Sequence, residues 1–370
     1  MTKKKVAFIC FAIVIISALF FYYNSDSIIS YFENKEWENA DTVGSTAIGN
    51  YIDFEGTLSN LIVIGSNYIK GYSKEAKEKF DMFVSFQEAV SSSAGDYCII
   101  AEKNGTTAYM VSGNQKIWEN TITGNIYDVY VNKNGYSVIV YKQSGYKSLA
   151  KVVTPAGEEL FTSYFASTYA IDVAITNDNK TLAIAEIDTE GIYVESYIKI
   201  IDINNVNSNN VKKYDLGENE LVSSIEYTDK NELLVTTDKK VMIINAEGIK
   251  EVLSYSYEKT ISATIENKKN IITVEKEEAG LFDIKYTLGI YSYNDELEKK
   301  EYELYDLPEQ IVAQNNLVAV VMHNELLIVN TNGKLVKRCN ISRNVKTVVL
   351  YNNANMVGLI FRDKIEFLKL

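Results

Sequence analysis

One turn pattern recurs along the chain and limits what it can fold into. Short clusters rich in Asn and Asp are each followed at once by an apolar run. They are Asn132-Lys133-Asn134-Gly135, Asn177-Asp178-Asn179, Asp229-Lys230-Asn231, Asn267-Lys268-Lys269-Asn270, Asn315-Asn316 and Asn352-Asn353-Ala354-Asn355, with Ser93-Ala94-Gly95-Asp96 in the same slot. Asn and Asp tolerate left-handed backbone and cap their own turns, so each cluster reads as a hairpin turn entering a buried strand. Successive turns lie roughly 40–50 residues apart, the length of a four-stranded propeller blade.

The unit is clearest in Tyr169–Asn204, where Ile171, Val173 and Ile175 alternate, Asn177–Lys180 turns, Leu182–Ile187 is a second apolar run and Tyr193–Ile203 a third. Period-2 alternation followed by continuous apolar runs marks a β-meander. A second turn, often carrying Gly, closes each unit: Ser112–Lys116, Thr154–Glu158, Asn245–Gly248 and Asn330–Lys334. Gly supplies the positive φ that tight hairpins need. The two signatures together give four strands per unit. Ser73–Phe83 (SKEAKEKFDMF) holds helix-forming residues but stands where other copies turn, so it reads as a turn with a long charged tip.

Units begin near Tyr51, Ala89, Ile126, Ala170, Val222, Ile261, Ile311 and Val345, which favours eight blades in an all-β propeller. The last unit, Val345–Leu370, has room for three strands only. A ring must close to remove its edges, so the missing strand is expected from Thr42–Asn50; if Tyr51–Gly56 fills that role, the count is seven. An open sandwich is the competing architecture, and it leaves the blade-length period unexplained.

Ahead of the repeats, Lys3-Lys4-Lys5 precedes the charge-free Val6–Tyr23. As a helix this run reaches about 27 Å, close to the hydrocarbon thickness. Lysines stay on the cytoplasmic side, which sets the N-terminus inside and the rest outside. The expected layout is a cytoplasmic tail (1–5), a transmembrane signal anchor (6–23), a stalk (24–45) with a short helix around Ile28–Trp37, and the propeller (46–370). A cleaved signal peptide is the alternative, but Ser17-Ala18-Leu19 followed by Phe20–Tyr23 is a poor cleavage site.

Composition narrows the function classes. A net charge of −12 disfavours nucleic acid, whose phosphates need a basic surface. Cys10 lies in the apolar segment; Cys98 and Cys339 sit in strands and read as buried free thiols, with a disulfide between neighbouring blades as the alternative. His323 is the sole histidine, so multi-His metal sites and a conventional triad are excluded, and a turn histidine is expected. Neither nucleophile elbows, P-loops, zinc motifs nor Rossmann glycines occur, and the calcium-loop spacing around Asp178 is incomplete. No catalytic, cofactor-binding or metal residue is assigned.

Asp128 and Asp172 stand out because each lies ten residues before an apolar position, Val138 and Leu182, with Ser223 in the same slot of the next unit. The innermost strand of a blade lines the channel, so these carboxylates are candidates for its mouth, where a cation or polar ligand would bind. The alternative is an aspartate bonding loop backbone.

The phrase DVAITNDNKTLAIAEID…YIKIIDI resembles the degenerate WD40-like and YVTN-type blades of bacterial propellers. Gly113-Asn114-Gln115-Lys116-Ile117-Trp118 resembles the Gly…Trp turn of quinoprotein-like blades (PQQ-like repeats), including the envelope assembly lipoprotein of Gram-negative bacteria. The whole resembles the membrane-anchored propellers of Clostridia-type bacteria, a domain of unknown function. With Trp37 and Trp118 as the only tryptophans, the tryptophan ring of quinone-dependent enzymes is missing and no cofactor is implied. The expected function is a non-catalytic, extracytoplasmic binding or scaffold module, engaging a protein or cell-wall component through one face of the ring. The alternative is a propeller hydrolase or lyase acting on an envelope glycan or small molecule, with a metal in the channel.

Overall fold

A computed structural model describes residues 42–206, 211–218, 220–228, 230–254, 260–266, 270–278, 284–293, 297–314, 316–341, 345–351 and 356–370. The expected anchor Val6–Tyr23, the Ile28–Trp37 helix, Cys10 and Trp37 lie outside these residues, as do the turn residues Asp229, Asn267–Lys269, Asn315 and Asn352–Asn355. Every regular element among the described residues is a strand.

The strands form eight four-stranded antiparallel sheets, so eight blades replace the alternatives of seven or of a sandwich. Strands are named A to D from the channel outward. Blade 1 starts at Tyr51, blade 2 at Ala89, blade 3 at Asn125, blade 4 at Thr168, blade 5 at Val222, blade 6 at Thr260, blade 7 at Gln310 and blade 8 at Thr347. Blade 8 supplies its own strands A to C and takes strand D from Thr42–Ala47, which pairs antiparallel with Lys364–Lys369. Residues 42–45, read from sequence as stalk, thus belong to this closing strand. Thr42 opposes Leu368 near the end of strand C. The chain therefore enters the ring on the face that carries the A–B and C–D turns. In blade 1 the charged tip is shorter than expected. The turn spans Ser73–Lys77, and Glu78–Phe83 is strand D, paired with Tyr68–Tyr72. The pairing wins because Phe80 and Met82 pack inward against the blade 1–2 core.

Burial follows position in the blade. Strand B is buried on both faces, as in Leu61–Gly65 and Leu233–Thr237, which is why its sequence is apolar without alternation. Strand A is half-buried because one side meets the channel, and strand D is mostly exposed. Among the described residues eight apolar clusters form, each shared between two successive blades. Ile99 and Met110 of blade 2, for example, pack with Ile126 and Ile139 of blade 3. Each fully buried aliphatic side chain contributes about 2 kcal/mol. The interface that closes the ring is one of these, where Phe367 and Ile365 of blade 8 strand C meet Leu61 and Val63 of blade 1.

The turn signatures behave as their chemistry requires. Gly95, Gly135, Asn179, Asn231 and Asn316 adopt positive φ in A–B turns. Gly157 has a φ of 89°, and a Cβ there would stand 2.8 Å from Cγ of Trp118, so the C–D turn of blade 3 closes directly over the blade 2 tryptophan. Cys98 and Cys339 are buried free thiols in blades 2 and 7.

Candidate functional site

The mouth of the central channel is built from strand A. In blades 1, 3, 4, 5 and 6 the register of A against B slips by one residue near the start of A. Such a bulge re-aims the side chain that follows it. The residue after the slip is Asp53 in blade 1, Asp128 in blade 3, Asp172 in blade 4, Ser224 in blade 5 and Ser262 in blade 6. The slot expected for Ser223 is held by Ser224, because Leu233 is the first residue of its strand B whereas Val138 and Leu182 are the second of theirs; the Ser223 hydroxyl instead donates to the Thr236 carbonyl at 3.1 Å.

Each of the three aspartates folds back on its own strand. Oδ1 accepts the next backbone N–H: from Phe54 at 2.9 Å, Val129 at 2.9 Å and Val173 at 2.8 Å. Asp172 also reaches across to blade 5, where Oδ2 accepts the Ile225 N–H at 2.7 Å. Asp128 Oδ2 accepts the Tyr130 hydroxyl at 2.7 Å, and that hydroxyl lies 3.0 Å from the Ile171 carbonyl of blade 4. The carboxylates thus satisfy strand backbone N–H groups and staple blade to blade.

A cavity of about 960 Å³ opens at this mouth, lined among others by Ser92, Tyr130, Asp172, Ser224, Glu226 and Gln314 from five blades. Asp172 is on the wall. Asp128 is not; its bond to Tyr130 connects it indirectly. Burial lifts Asp172 far above the usual carboxylate range, to about 7, with the like charges of Asp128 and Glu226 adding to it. Burial also raises Asp128, against the opposing Tyr130 hydrogen bond.

Blades 1 and 2 repeat the theme with a proton count that does not balance. The Ser91 hydroxyl has one proton, yet its oxygen is 2.8 Å from both Asp53 Oδ2 and Glu55 Oε1. A single hydroxyl proton is thus shared between two carboxyl groups. Burial raises Glu55, with the nearby Asp53 charge adding to it and the Ser93 and Ser91 hydrogen bonds opposing. Its other oxygen accepts the Ser93 hydroxyl at 2.7 Å. Asp53 and Glu55 were missed in the sequence. Asp53 precedes Val63 by ten residues, the spacing that singled out Asp128 and Asp172.

The A–B turns form the rim. Asn132 Nδ2 donates to Asn179 Oδ1 at 2.7 Å and Asn134 Nδ2 to the Asn177 carbonyl at 2.8 Å, tying the turns of blades 3 and 4 together. Asp178 Oδ1 accepts the Thr176 hydroxyl at 2.7 Å and the Lys180 N–H at 3.2 Å, a turn cap and not a calcium ligand set. His323 is an exposed turn residue with a φ of 43°, 3.8 Å from Asp306. Among the described residues no three His, Cys, Asp or Glu side chains are grouped to hold a metal ion.

This architecture defines an eight-bladed β-propeller. A family model described as a family of unknown function, DUF5711, matches residues 23–370, and the chain belongs to that family. No curated protein matches it. Among solved structures it is similar to the C-terminal WD40 domain of Sif2, with a TM-score of 0.60, 11% identity and coverage of 90% of this chain and 99% of that one. BamB from Moraxella catarrhalis gives a TM-score of 0.53 at 11% identity, covering 90% and 98%. AztD from Citrobacter koseri gives 0.52 at 10%, covering 80% and 87%. At these identities the likeness is one of fold.

Proposed function

We propose that the chain is a membrane-anchored, extracytoplasmic propeller of a bacterium of the Clostridia type that binds a protein or cell-envelope partner through one face of the ring, without catalysis. One observation carries this reading. The candidate carboxylates spend their lone pairs on backbone N–H groups and neighbouring hydroxyls, so the mouth is a rigid wall rather than a set of groups converging on one reacting atom. The charge-free Val6–Tyr23 behind three lysines supplies the anchor. A mouth stapled between blades 1 and 2, 3 and 4, and 4 and 5 offers a preorganised surface, which lowers the ordering cost of docking.

The test is affinity capture from crosslinked cells with the tagged full-length protein, using the Met1–Ser45 fragment as control. A partner retained only by the full chain supports the reading. Absence of any such partner, together with tight binding of a metal or glycan fragment, overturns it.

A propeller hydrolase or lyase acting on an envelope glycan is the second reading, favoured by a single observation. Asp172, on the cavity wall and held near 7, has the affinity for protons that general acid–base chemistry at neutral pH uses. Turnover of glycan fragments that vanishes in Asp172→Asn while binding persists would select it.

A further inference from the structure

Strand A of every blade faces the central channel, and its charges are of one sign. Among the described residues, the eight A strands hold no Lys or Arg, although the chain has 37 of them. They do hold Asp53, Glu55, Asp128, Asp172 and Glu226. The outer strands are mixed, with Lys116, Lys213, Lys300 and Lys337 among their carboxylates. The cavity at the channel mouth inherits this bias. Its wall carries Asp172, Glu226 and Asp96 against one lysine, Lys133, which is exposed at the rim.

The hydrogen bonds that hold these carboxylates do not cancel their charge. Asp172 accepts from two backbone N–H groups and Asp96 from the Ser59 hydroxyl, and among the described residues neither forms an ion pair. Asp172, near 7, is part-ionised at neutral pH, and a bound ammonium draws out the rest of its charge. The three groups also stand at different depths. Asp172 lies in the middle of its A strand, just after the bulge. Glu226 lies two residues beyond Ser224, which takes the same position in blade 5, so it is about 7 Å nearer the rim. Asp96 is further out, in the A–B turn of blade 2. Negative charge thus runs along the bore instead of converging on a point.

Aromatic faces stand among these charges. The Tyr130 hydroxyl is held between Asp128 and the Ile171 carbonyl, which fixes its ring. The Tyr97 ring lies against Gly135, where a Cβ would stand 2.8 Å from it. Both rings line the cavity. A Tyr face attracts an ammonium group through the ring quadrupole. A cleft lined by one sign of charge concentrates the opposite ion. The cavity volume of about 960 Å³ is that of a small-molecule site and far exceeds one metal ion.

We infer that the channel mouth binds a small linear organic polycation, a di- to tetra-ammonium chain joined by methylenes. Its ammonium groups lie beside Asp172, Glu226 and Asp96, and its methylenes rest against Tyr130 and Tyr97. Charge spaced along a chain matches charge spaced along a bore, whereas a compact dication satisfies one level only. The inference goes beyond the partner reading and does not rest on it.

The experiment titrates spermine, as the probe, into the full-length protein in mild detergent at low salt, followed by calorimetry. Magnesium ion and a lysine-rich peptide are titrated in parallel. Spermine should bind once per chain and about tenfold more tightly than magnesium. Asp96→Asn with Glu226→Gln should weaken spermine binding about tenfold. Glu119→Gln with Glu303→Gln removes the same charge from exposed outer strands and should leave binding unchanged. In the wild type, spermine should also slow amide exchange over residues 130–134 and 172–177, a readout that needs no variant. Equal losses in the two double variants would reduce the effect to bulk attraction by an acidic chain and overturn the inference. So would magnesium binding as tightly as spermine, a peptide that binds more tightly than spermine, or exchange that spermine leaves untouched. Because the two readings are independent, failure here leaves the partner reading standing.

Discussion

Two buried carboxyl groups in this ring have opposite surroundings. Glu325 opens strand C of blade 7 at 7% exposure. Its Oε2 accepts from Arg338 Nη2 at 2.6 Å and Nε at 3.1 Å, and from the Tyr305 hydroxyl at 2.6 Å. The Arg338 guanidinium also lies over the Tyr305 ring, 5.3 Å from its centre. Asp172, in blade 4, accepts only from two backbone N–H groups, and the charges that reach it, Asp128 and Glu226, share its sign. The first group is paired with a cation within one sheet. The second changes its charge in the physiological range at the wall of a cavity. Burial is the main cause of the rise at Asp172, and like-charged neighbours add to it, whereas Glu325 is buried beside a cation.

The largest effect should come from the blade 7 pair. Arg338→Met strands a buried carboxylate and should cost about 3–5 kcal/mol in urea unfolding at neutral pH. Adding Glu325→Leu should recover most of that, because replacing both partners removes the uncompensated charge. A loss below about 1 kcal/mol for the single variant would break the comparison.

Asp172 should show itself through pH. Its folded value of about 7 lies above the ordinary 3.8, so the native state holds the extra proton between those limits. Its contribution to stability is complete below about pH 4 and is lost as pH rises toward 7. Asp128 and Glu55, also raised, act in the same direction. The difference between wild type and Asp172→Asn, followed by urea midpoints from pH 4 to 7, should therefore change by about 1–3 kcal/mol in favour of the variant as pH rises. A flat difference would mean that water in the cavity screens the group fully.

The smallest effect calibrates the scale. Lys116 and Glu119 form an exposed pair at 2.8 Å with side chains 43% and 46% accessible. Lys116→Ala should shift stability by less than about 0.5 kcal/mol, and by less still in high salt.

Most of the fold was legible because its punctuation is chemical. Left-handed Asn and Gly residues mark the turns, and strands buried on both faces drop the alternation that would otherwise blur them. The blade count stayed open between seven and eight because the deciding strand, Thr42–Ala47, has an exposed outer face and almost no apolar pattern. It pairs by backbone, and backbone pairing leaves little trace in side chains. At the channel mouth, Asp128 and Asp172 were legible through spacing, and Asp53 obeys the same spacing. The displacement from Ser223 to Ser224 was not, since it depends on which residue opens strand B, Leu233 being first in its strand and Val138 and Leu182 second in theirs.

The closing strand also dictates when the molecule can become itself. Thr42–Ala47 is among the first parts of the ring to be synthesised, and its partner, Lys364–Lys369, is the last. Contacts this far apart in sequence form slowly, and until they form the outer edge of blade 8 stands unpaired. A chain that stops short, by truncation or stalled synthesis, has no final strand to offer and remains an open arc with sticky ends, the kind of species that aggregates or is degraded. Ring closure thus works as a completeness check, in which the beginning of the domain is held in reserve until the end arrives.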